Sequence, residues 1–418
     1  MQAVILAAGE STRFWPLNHR HKSLFKIMGK PLILYLLEGL KRAGLNEAII
    51  VQGPKRDVET ELENYSFLGL KIRYAVQKKP TGTGDAILSA DKLIKDRFFV
   101  LNAERADCEF HIRPILEKTN RIKDSAVLLA GPTNTPWLFG ILKVKGEKIV
   151  DLVEKPKPGK EPSNLKVVGT YFFPKKFLSY LKKIPSHPYS LEKAIALFAQ
   201  KEEAKIALFD KKTFALKFPW DLFNIRDFLF NRFLKSKIEG SANIAKNALI
   251  EGNIYIGNNV KIFENAVIKG PCYIGDNCTV GNNSLVRKYV NLEENVLIGG
   301  FAEVKSSIFQ TGCSVHSGFF GDSIFDKNCW MGAGVVTANK HFDKKEVKSV
   351  IKGEKIDTGL MALGAIVGKN AKIGINTSLM PGVLIGENAV IGPHSLVREN
   401  IPDNKIFYTK ATKVINAI

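Results

Sequence analysis

Three stretches of this 418-residue chain gather side chains that could do chemistry. In the first, a loop opened by Ala7, Ala8 and Gly9 lets backbone N–H groups approach a nucleotide closely. Arg13 and Lys22 then add the positive charge that a polyphosphate, and the charge developing in phosphoryl transfer, both require. The second is a further glycine-bearing loop, Gln77 followed by PTGTGDA. The third runs from 305 to 366 and holds His316, Asn339 and a lysine-bearing loop, KHFDKKEVKSVIKGEKIDTG. Histidine as a residue type ordinarily titrates near neutrality, which suits it to taking a proton from an amine. The seven histidines show no HxxxH or HxH spacing, so a zinc site is not expected.

Hydrophobic patterning says which elements must hold these groups. Ile244, Ile250, Ile256, Ile262, Ile268, Ile274, Val280, Val286, Leu292 and Ile298 form a strict six-residue pulse. Val367, Ile373, Leu379, Ile385, Ile391 and Val397 form a second one. Neither a helix nor a flat strand gives a period of six. A hexapeptide β-helix does, because every six residues send one side chain to the axis of a stacked prism. The third stretch is the interruption between the two pulses.

The N-terminal half reads differently. Short apolar strands at 2–8, 48–52, 71–77 and 98–102 alternate with helical patterns at 31–43, 57–65 and 84–94. That alternation predicts a parallel, doubly wound sheet whose ligands sit beyond the carboxyl ends of its strands. Gly9, Gln77 and Glu104 all fall at such ends. The pattern becomes more strand-rich from 128 to 173, and 219–236 reads as a helix connecting the halves. The expected division is 1–218, a linker at 219–239, and a coil from 240 to 418.

The composition, 45% hydrophobic and 24% charged, is that of a folded globular protein. A net charge of +20 would attract polyanions, yet the Lys and Arg residues are dispersed rather than gathered, so nucleic acid is not an expected partner. The five cysteines contain no CxxC pair, which points to reduced thiols and a cytoplasmic protein. Cys272 and Cys278, one hexapeptide apart, are expected to stack on neighbouring positions of the coil. The start, MQAVILAAGE, lacks the basic region of a signal peptide, and no apolar run is long enough for a membrane span.

The segment LAAGESTRFWPLNHRHKSLFKIMGKPL resembles the signature of the sugar-phosphate nucleotidyltransferases. The resemblance implies a Rossmann-like (GT-A-like) α/β domain, with Leu6, Ala7, Ala8, Gly9, Gln77, Gly82 and Thr83 binding the nucleotide, UTP or dTTP. It makes Arg13 and Lys22 catalytic, and it places the sugar 1-phosphate at Gly140 (WLFGILKV), Glu154 (VEKP) and Gly169. The family's Gly-Asp pair, whose Asp binds Mg²⁺, corresponds to Ala103-Glu104. Its second carboxylate corresponds to Ala215, with Asp221 or Asp210 nearby as substitutes. Ser11, Ser23 and Val167 also depart from the family pattern.

HSGFFGDSIFDKNCWMGAGVVTANKHFD resembles the acetyltransferase signature of the bifunctional enzymes that make UDP-N-acetylglucosamine, in their archaeal-type branch. This implies a left-handed β-helix that moves an acetyl group from acetyl-CoA to an amino-sugar 1-phosphate. His316 would be the base, Arg287 and Lys305 the phosphate-binding pair, and Asn339 and Gly364 would contact acetyl-CoA. Phe319 and Trp330 replace a Tyr and an Asn of the pattern. Such coils usually pack as homotrimers with the acetyl-CoA site between neighbours. Two alternatives stay open: a glucose-1-phosphate nucleotidyltransferase whose coil only trimerises it, and a non-catalytic scaffold relative.

Overall fold

The computed structural model describes residues 1–66, 69–119 and 124–410. They form two compact units. One comprises 1–10, 23–25 and 31–215; the other comprises 11–22, 26–30 and 216–418.

The first unit is built on β1 (Gln2–Ala7), α1 (Leu32–Arg42), β2 (Glu47–Gln52), α2 (Asp57–Leu62), β3 (Lys71–Val76), α3 (Thr83–Ser89), β4 (Phe98–Asn102) and α4 (Cys108–Thr119). β5 (Ala126–Pro132), β6 (Gly140–Lys145), β7 (Lys148–Glu154), β8 (Leu165–Phe173), α5 (Phe177–Leu181), α6 (Ser190–Lys201) and β9 (Ala204–Leu208) follow. One nine-stranded sheet takes the order β3-β2-β1-β4-β8-β5-β9-β7-β6. Its first four strands are parallel, which explains why they read as unbroken apolar runs: helices cover both faces. Val4, at zero exposure, is flanked by Ile49 and Val100. β8 enters antiparallel between β4 and β5, so the sheet is mixed beyond β4. β1 and β4 are neighbours, and the Ala103 N–H donates to the Leu6 carbonyl at 3.1 Å. Residues that follow the two strands therefore open on the same sheet edge.

The second unit is a three-faced parallel coil of the left-handed β-helix class, with sheets of eight, nine and eight strands. Ile254, Cys272 and Val290 stack in one column, eighteen residues apart. Ile262, Val280 and Ile298 do so on the next face. Stacking therefore recurs every three hexapeptides. Cys272 and Cys278 consequently lie on adjacent faces of one turn, not in one column, which corrects the expectation above. Asparagines at the corners (Asn259, Asn277, Asn295, Asn370, Asn388, Asn404) adopt positive φ, which Asn tolerates better than other side-chain-bearing residues. They also form ladders, Asn370 to Asn388 at 3.0 Å and Asn388 to Asn404 at 2.9 Å.

The coil does not stop where the pulse stops. After Val304 its turns shorten: Leu292 pairs with Phe309, Val304 with Phe320, Phe309 with Phe325 and Val315 with Met331. Phenylalanines now fill the axis, with the rings of Phe309 and Phe325 4.4 Å apart. A hairpin (Val347–Ile351 with Glu354–Leu360) is the true excursion, inserted before Ile366 pairs back onto Ile324. A helix, α7 (Asp221–Phe233), belongs to the same unit and seats its fully buried Arg226 on the Ser306 carbonyl at 2.9 Å.

All five cysteines are buried and unpaired to one another. Burial pushes the Cys272 and Cys278 thiols up to about 12. The native protein should therefore be silent to a thiol reagent at pH 8 and release five equivalents after denaturation. A fast native equivalent would contradict this packing. No helix among the described residues is long and apolar enough to cross a membrane.

Candidate active sites

The sheet edge of the first unit collects the predicted nucleotide residues of that unit. Leu6 and Ala7 end β1, and Gly9 follows, exposed, with open space where a Cβ would stand. Gln77 follows β3 and is buried. Its side-chain amide donates to the Gly82 carbonyl at 3.1 Å and to Asp85 at 2.8 Å, closing the loop over itself. Gly82 has φ of 138°, and a Cβ there would meet the His187 carbonyl at 2.7 Å, so only glycine fits. Thr83 begins α3 directly after it.

The sugar candidates also converge. Gly140 and Glu154 are cross-strand partners on β6 and β7, and a Cβ on Gly140 would lie 2.8 Å from Glu154 Oε2. Burial pushes the Glu154 carboxyl above its ordinary value, against the pull of Lys155. Gly169 has φ of 85°, where β8 is irregular, and its missing side chain leaves space 3.6 Å from Arg105 Nη2. Sequence reasoning passed over Arg105. It is buried, donates to the carbonyls of Val168 and Phe214, and contacts Asp107 at 3.8 Å. Its only sequence signal is its position directly after Glu104. His111 is buried between Asp107 (3.2 Å) and Thr170 (3.1 Å).

Glu104, 4% exposed, follows β4 on the same edge. Among the described residues no group of three or more His, Cys, Asp or Glu could hold a metal. Magnesium is commonly held by one or two carboxylates together with substrate phosphates, and a single hard oxygen donor such as Glu104 fits an ion that arrives with a nucleotide. The suggested substitutes do not extend that donor set. Asp221 Oδ2 accepts the N–H groups of Lys217 and Phe218, both at 2.7 Å, and so ties down the turn that leads into α7, while Asp210 is exposed.

The signature residues 11–22 and 26–30 pack within the coil-bearing unit. Ser11 holds a left-handed conformation (φ 53°) where the family pattern has glycine, a strain of about 1–2 kcal/mol for a residue with a Cβ. Arg13 lies exposed in a short turn, Thr12–Phe14. Lys22 Nζ donates to the Leu216 carbonyl at 2.6 Å. Further along, the Met28 N–H donates to Asn291 at 2.9 Å and the Gly29 N–H to Glu293 at 3.0 Å. Gln310 exchanges two hydrogen bonds with the Lys26 backbone. Burial raises the Glu293 carboxyl to about 7, above the ordinary 4.5. A carboxyl raised on folding stabilises fully below the lower value and loses that contribution as pH rises through the higher one. Glu293→Gln should therefore flatten the thermal-melting profile between about pH 4.5 and 7, relative to wild type. An unchanged pH slope would refute this assignment.

In the coil, His316 stands in a corner column of N–H to carbonyl bonds that contains Gly281, Gly299, Gly332, Gly374 and Gly392. The His316 N–H donates to the Met331 carbonyl at 2.9 Å, and a Cβ on Gly299 would approach the His316 carbonyl to 2.0 Å. The imidazole is thus exposed with glycines above and below it on the coil. Lys305, Asn339 and Gly364 gather around Asp322, at the far end of the strand Gly318–Gly321. Lys305 Nζ lies 3.0 Å and Asn339 Nδ2 2.5 Å from its carboxylate, and the Gly364 N–H donates to its carbonyl at 2.8 Å. Arg287, one rung before Lys305 in the same column, is held by Glu303 at 2.6 Å. Phe319 lays its ring over Gly321, its Cζ 2.6 Å from where a Cβ would stand. Trp330, 47% exposed, projects from the rung after Ser314. One chain therefore does not bring His316 and the Asp322 cluster together: a four-residue strand, about 13 Å long, separates them.

Comparison with known proteins matches both parts of the chain. The nucleotidyl transferase family profile matches residues 2–226, and the bacterial transferase hexapeptide profile (six repeats) matches 253–288 and 364–399. A "Bifunctional protein GlmU" of Methanococcus maripaludis strain C7 is 39% identical, with 99% of each chain covered. One of the same description from Methanocaldococcus jannaschii is 32% identical over 98% of each. A "Bifunctional sugar-1-phosphate nucleotidylyltransferase/acetyltransferase" of Sulfurisphaera tokodaii is 31% identical, covering 97% of this chain and all of the relative.

Proposed function

We infer the activity of this chain from its family: it belongs to the nucleotidyl transferases, in the bifunctional group that joins such a domain to a hexapeptide coil. It is a transferase of UDP-N-acetylglucosamine biosynthesis. It acetylates glucosamine 1-phosphate from acetyl-CoA and joins N-acetylglucosamine 1-phosphate to UTP with loss of pyrophosphate. The observation that carries the acetyl-transfer reading is His316 in its glycine column, with a cation-bearing cluster at the other end of the same strand. That geometry favours an active coil over one that only trimerises.

In the coil, the His316 imidazole takes the proton from the amino group as its nitrogen bonds to the thioester carbonyl carbon, and the C–S bond breaks to release coenzyme A. Arg287 and Lys305, already aligned on successive rungs, exchange their carboxylate partners for the sugar phosphate. Asn339 and Gly364 border the acetyl-CoA. We assign completion of the site to a neighbouring coil in a homotrimer. Outward apolar side chains support this: Leu297, Val336, Val390 and Leu396 flank the His316 corner on its two faces and stay exposed in one chain.

In the N-terminal reaction, an oxygen of the sugar phosphate attacks the α-phosphorus of UTP and pyrophosphate departs. Backbone amides of Leu6 to Gly9 and the Gln77–Gly82–Thr83 loop hold the nucleotide, and Gly140, Glu154 and Gly169 leave room for the sugar. Arg13 and Lys22 balance charge on the triphosphate. Glu104 would hold Mg²⁺, which neutralises phosphate charge when bound. Functionally the chain divides at 1–218, 219–239 and 240–418.

Two assays on the purified protein test this reading. One follows thiol release from acetyl-CoA with glucosamine 1-phosphate; the other follows pyrophosphate release from UTP with N-acetylglucosamine 1-phosphate and Mg²⁺. Both are expected to give signal, and silence in either removes that activity from the assignment.

A further inference from the structure

The strand that carries Gly169 breaks step at that residue. On β8 Val167 pairs with Ala130 and Tyr171 with Leu128, so Val168, Gly169 and Thr170 stand against Leu129 alone. On the other side, the register with β4 begins at Thr170. A bulge of this kind leaves backbone groups without strand partners, and bulges recur beside active sites because they re-aim the chain. Side chains that follow β4 take over the missing bonds. The Arg105 guanidinium donates through Nη2 to the carbonyl of Val168, the residue before Gly169. The hydroxyl of Thr170, the residue after it, lies 3.1 Å from His111 Nδ1. Gly169 is thus held from both sides at a φ of 85°, where a Cβ would be strained.

The same guanidinium reaches a second segment. Its Nη1 donates to the Phe214 carbonyl at 3.2 Å, and the Phe214 N–H donates to Asp107 Oδ2 at 3.1 Å. Asp107 closes the group, 3.8 Å from Arg105 Nη1 and 3.2 Å from His111 Nε2. Arg105, Asp107, His111 and Thr170 are all buried. The need to neutralise a buried carboxylate accounts for a cation beside Asp107. It does not account for a planar fork aimed at two main-chain carbonyls. Those carbonyls adjoin Gly169, which the family resemblance gives to the sugar, and Ala215, which stands where the family has its second carboxylate. The space left by the missing Gly169 side chain also opens toward donors, 3.6 Å from Arg105 Nη2 and 4.0 Å from Asn102 Nδ2. Such a space suits an oxygen acceptor, which sugar hydroxyl and amide carbonyl groups both present.

We propose that Arg105 is the positioning residue of the sugar 1-phosphate pocket: by bridging the Val168 and Phe214 carbonyls it fixes the Gly169 bulge in the form that admits the sugar. This rests on the nucleotidyl-transfer reading above. A lysine would keep the positive charge but lacks the rigid fork that reaches two acceptors at once.

The test follows pyrophosphate release by the full chain from UTP and Mg²⁺, with N-acetylglucosamine 1-phosphate varied. In Arg105→Lys the KM for the sugar is expected to rise about tenfold, while kcat and the KM for UTP stay within about twofold of wild type. Thr170→Val, which keeps the side-chain shape and removes only the hydroxyl, should raise the same KM about threefold. Acetyl transfer and the melting temperature, measured on the same samples, should hold in both variants. A role confined to packing would lower all the kinetic constants together or shift only the melt. An unchanged KM for the sugar in well-folded Arg105→Lys overturns the proposal and leaves the nucleotidyl-transfer reading intact. If that variant does not fold, Thr170→Val decides in the same way. Silence of the wild type overturns the nucleotidyl-transfer reading and the proposal with it.

Discussion

His316→Ala is expected to lower acetyl transfer from acetyl-CoA to glucosamine 1-phosphate by about 10²–10⁴-fold, the usual contribution of a positioned general base. The column around the imidazole explains why no neighbour would compensate. Gly299 and Gly332 flank it on adjacent rungs and carry no side chain, so its own column offers no second base. The same glycines make the substitution structurally mild, because alanine at a surface corner removes no core contact. Pyrophosphate release from UTP should therefore stay within twofold of wild type, and the melting temperature should hold. If acetyl transfer survives within a few-fold, the base is another group and the coil's chemistry must be reassigned. His341, exposed on the excursion that precedes the hairpin, would be the next histidine to remove.

Lys22→Ala should produce the opposite split. Pyrophosphate release is expected to fall about 10²–10³-fold, the scale measured when one charge-stabilising donor is removed from a transition state. Acetyl transfer should persist. Within the coil-bearing unit the Lys22 ammonium is held by the Leu216 carbonyl at 2.6 Å. A preorganised cation contributes more than a mobile one because no reorganisation accompanies the reaction. Residual activity near that of wild type would mean that Lys22 is dispensable for the transfer. Loss of both activities together would point instead to a folding defect.

The coil was legible because its constraint is local and repeated. Each face needs one inward aliphatic side chain, so Ile298 is as readable as Ile262, whereas the positive-φ corners at Asn259 and Asn295 carry no period of hydrophobicity and went unread. The parallel edge was legible for a similar reason: unbroken apolar runs at 2–8 and 98–102 can only be buried between covered faces. The interruption misled in one respect. The period vanishes after Val304 because turns shorten and phenylalanines take over the axis, while the stacking itself continues. A fixed-period reading cannot follow a coil whose turn length changes.

What the sequence determined by itself is the class of each unit, and it nominated Gly9, Arg13, Lys22, Gln77, Glu154, His316 and Asn339 as the residues to examine for chemistry. These follow from motif and period, which act between residues close in the chain. Tertiary structure alone decided which of these residues meet. It paired Glu154 with Gly140, brought Asn339, Lys305 and Gly364 to Asp322, and set His316 at the other end of the strand. It packed residues 11–22 with the coil unit. Burial and partnership depend on side chains tens to hundreds of residues away, and no local pattern encodes them.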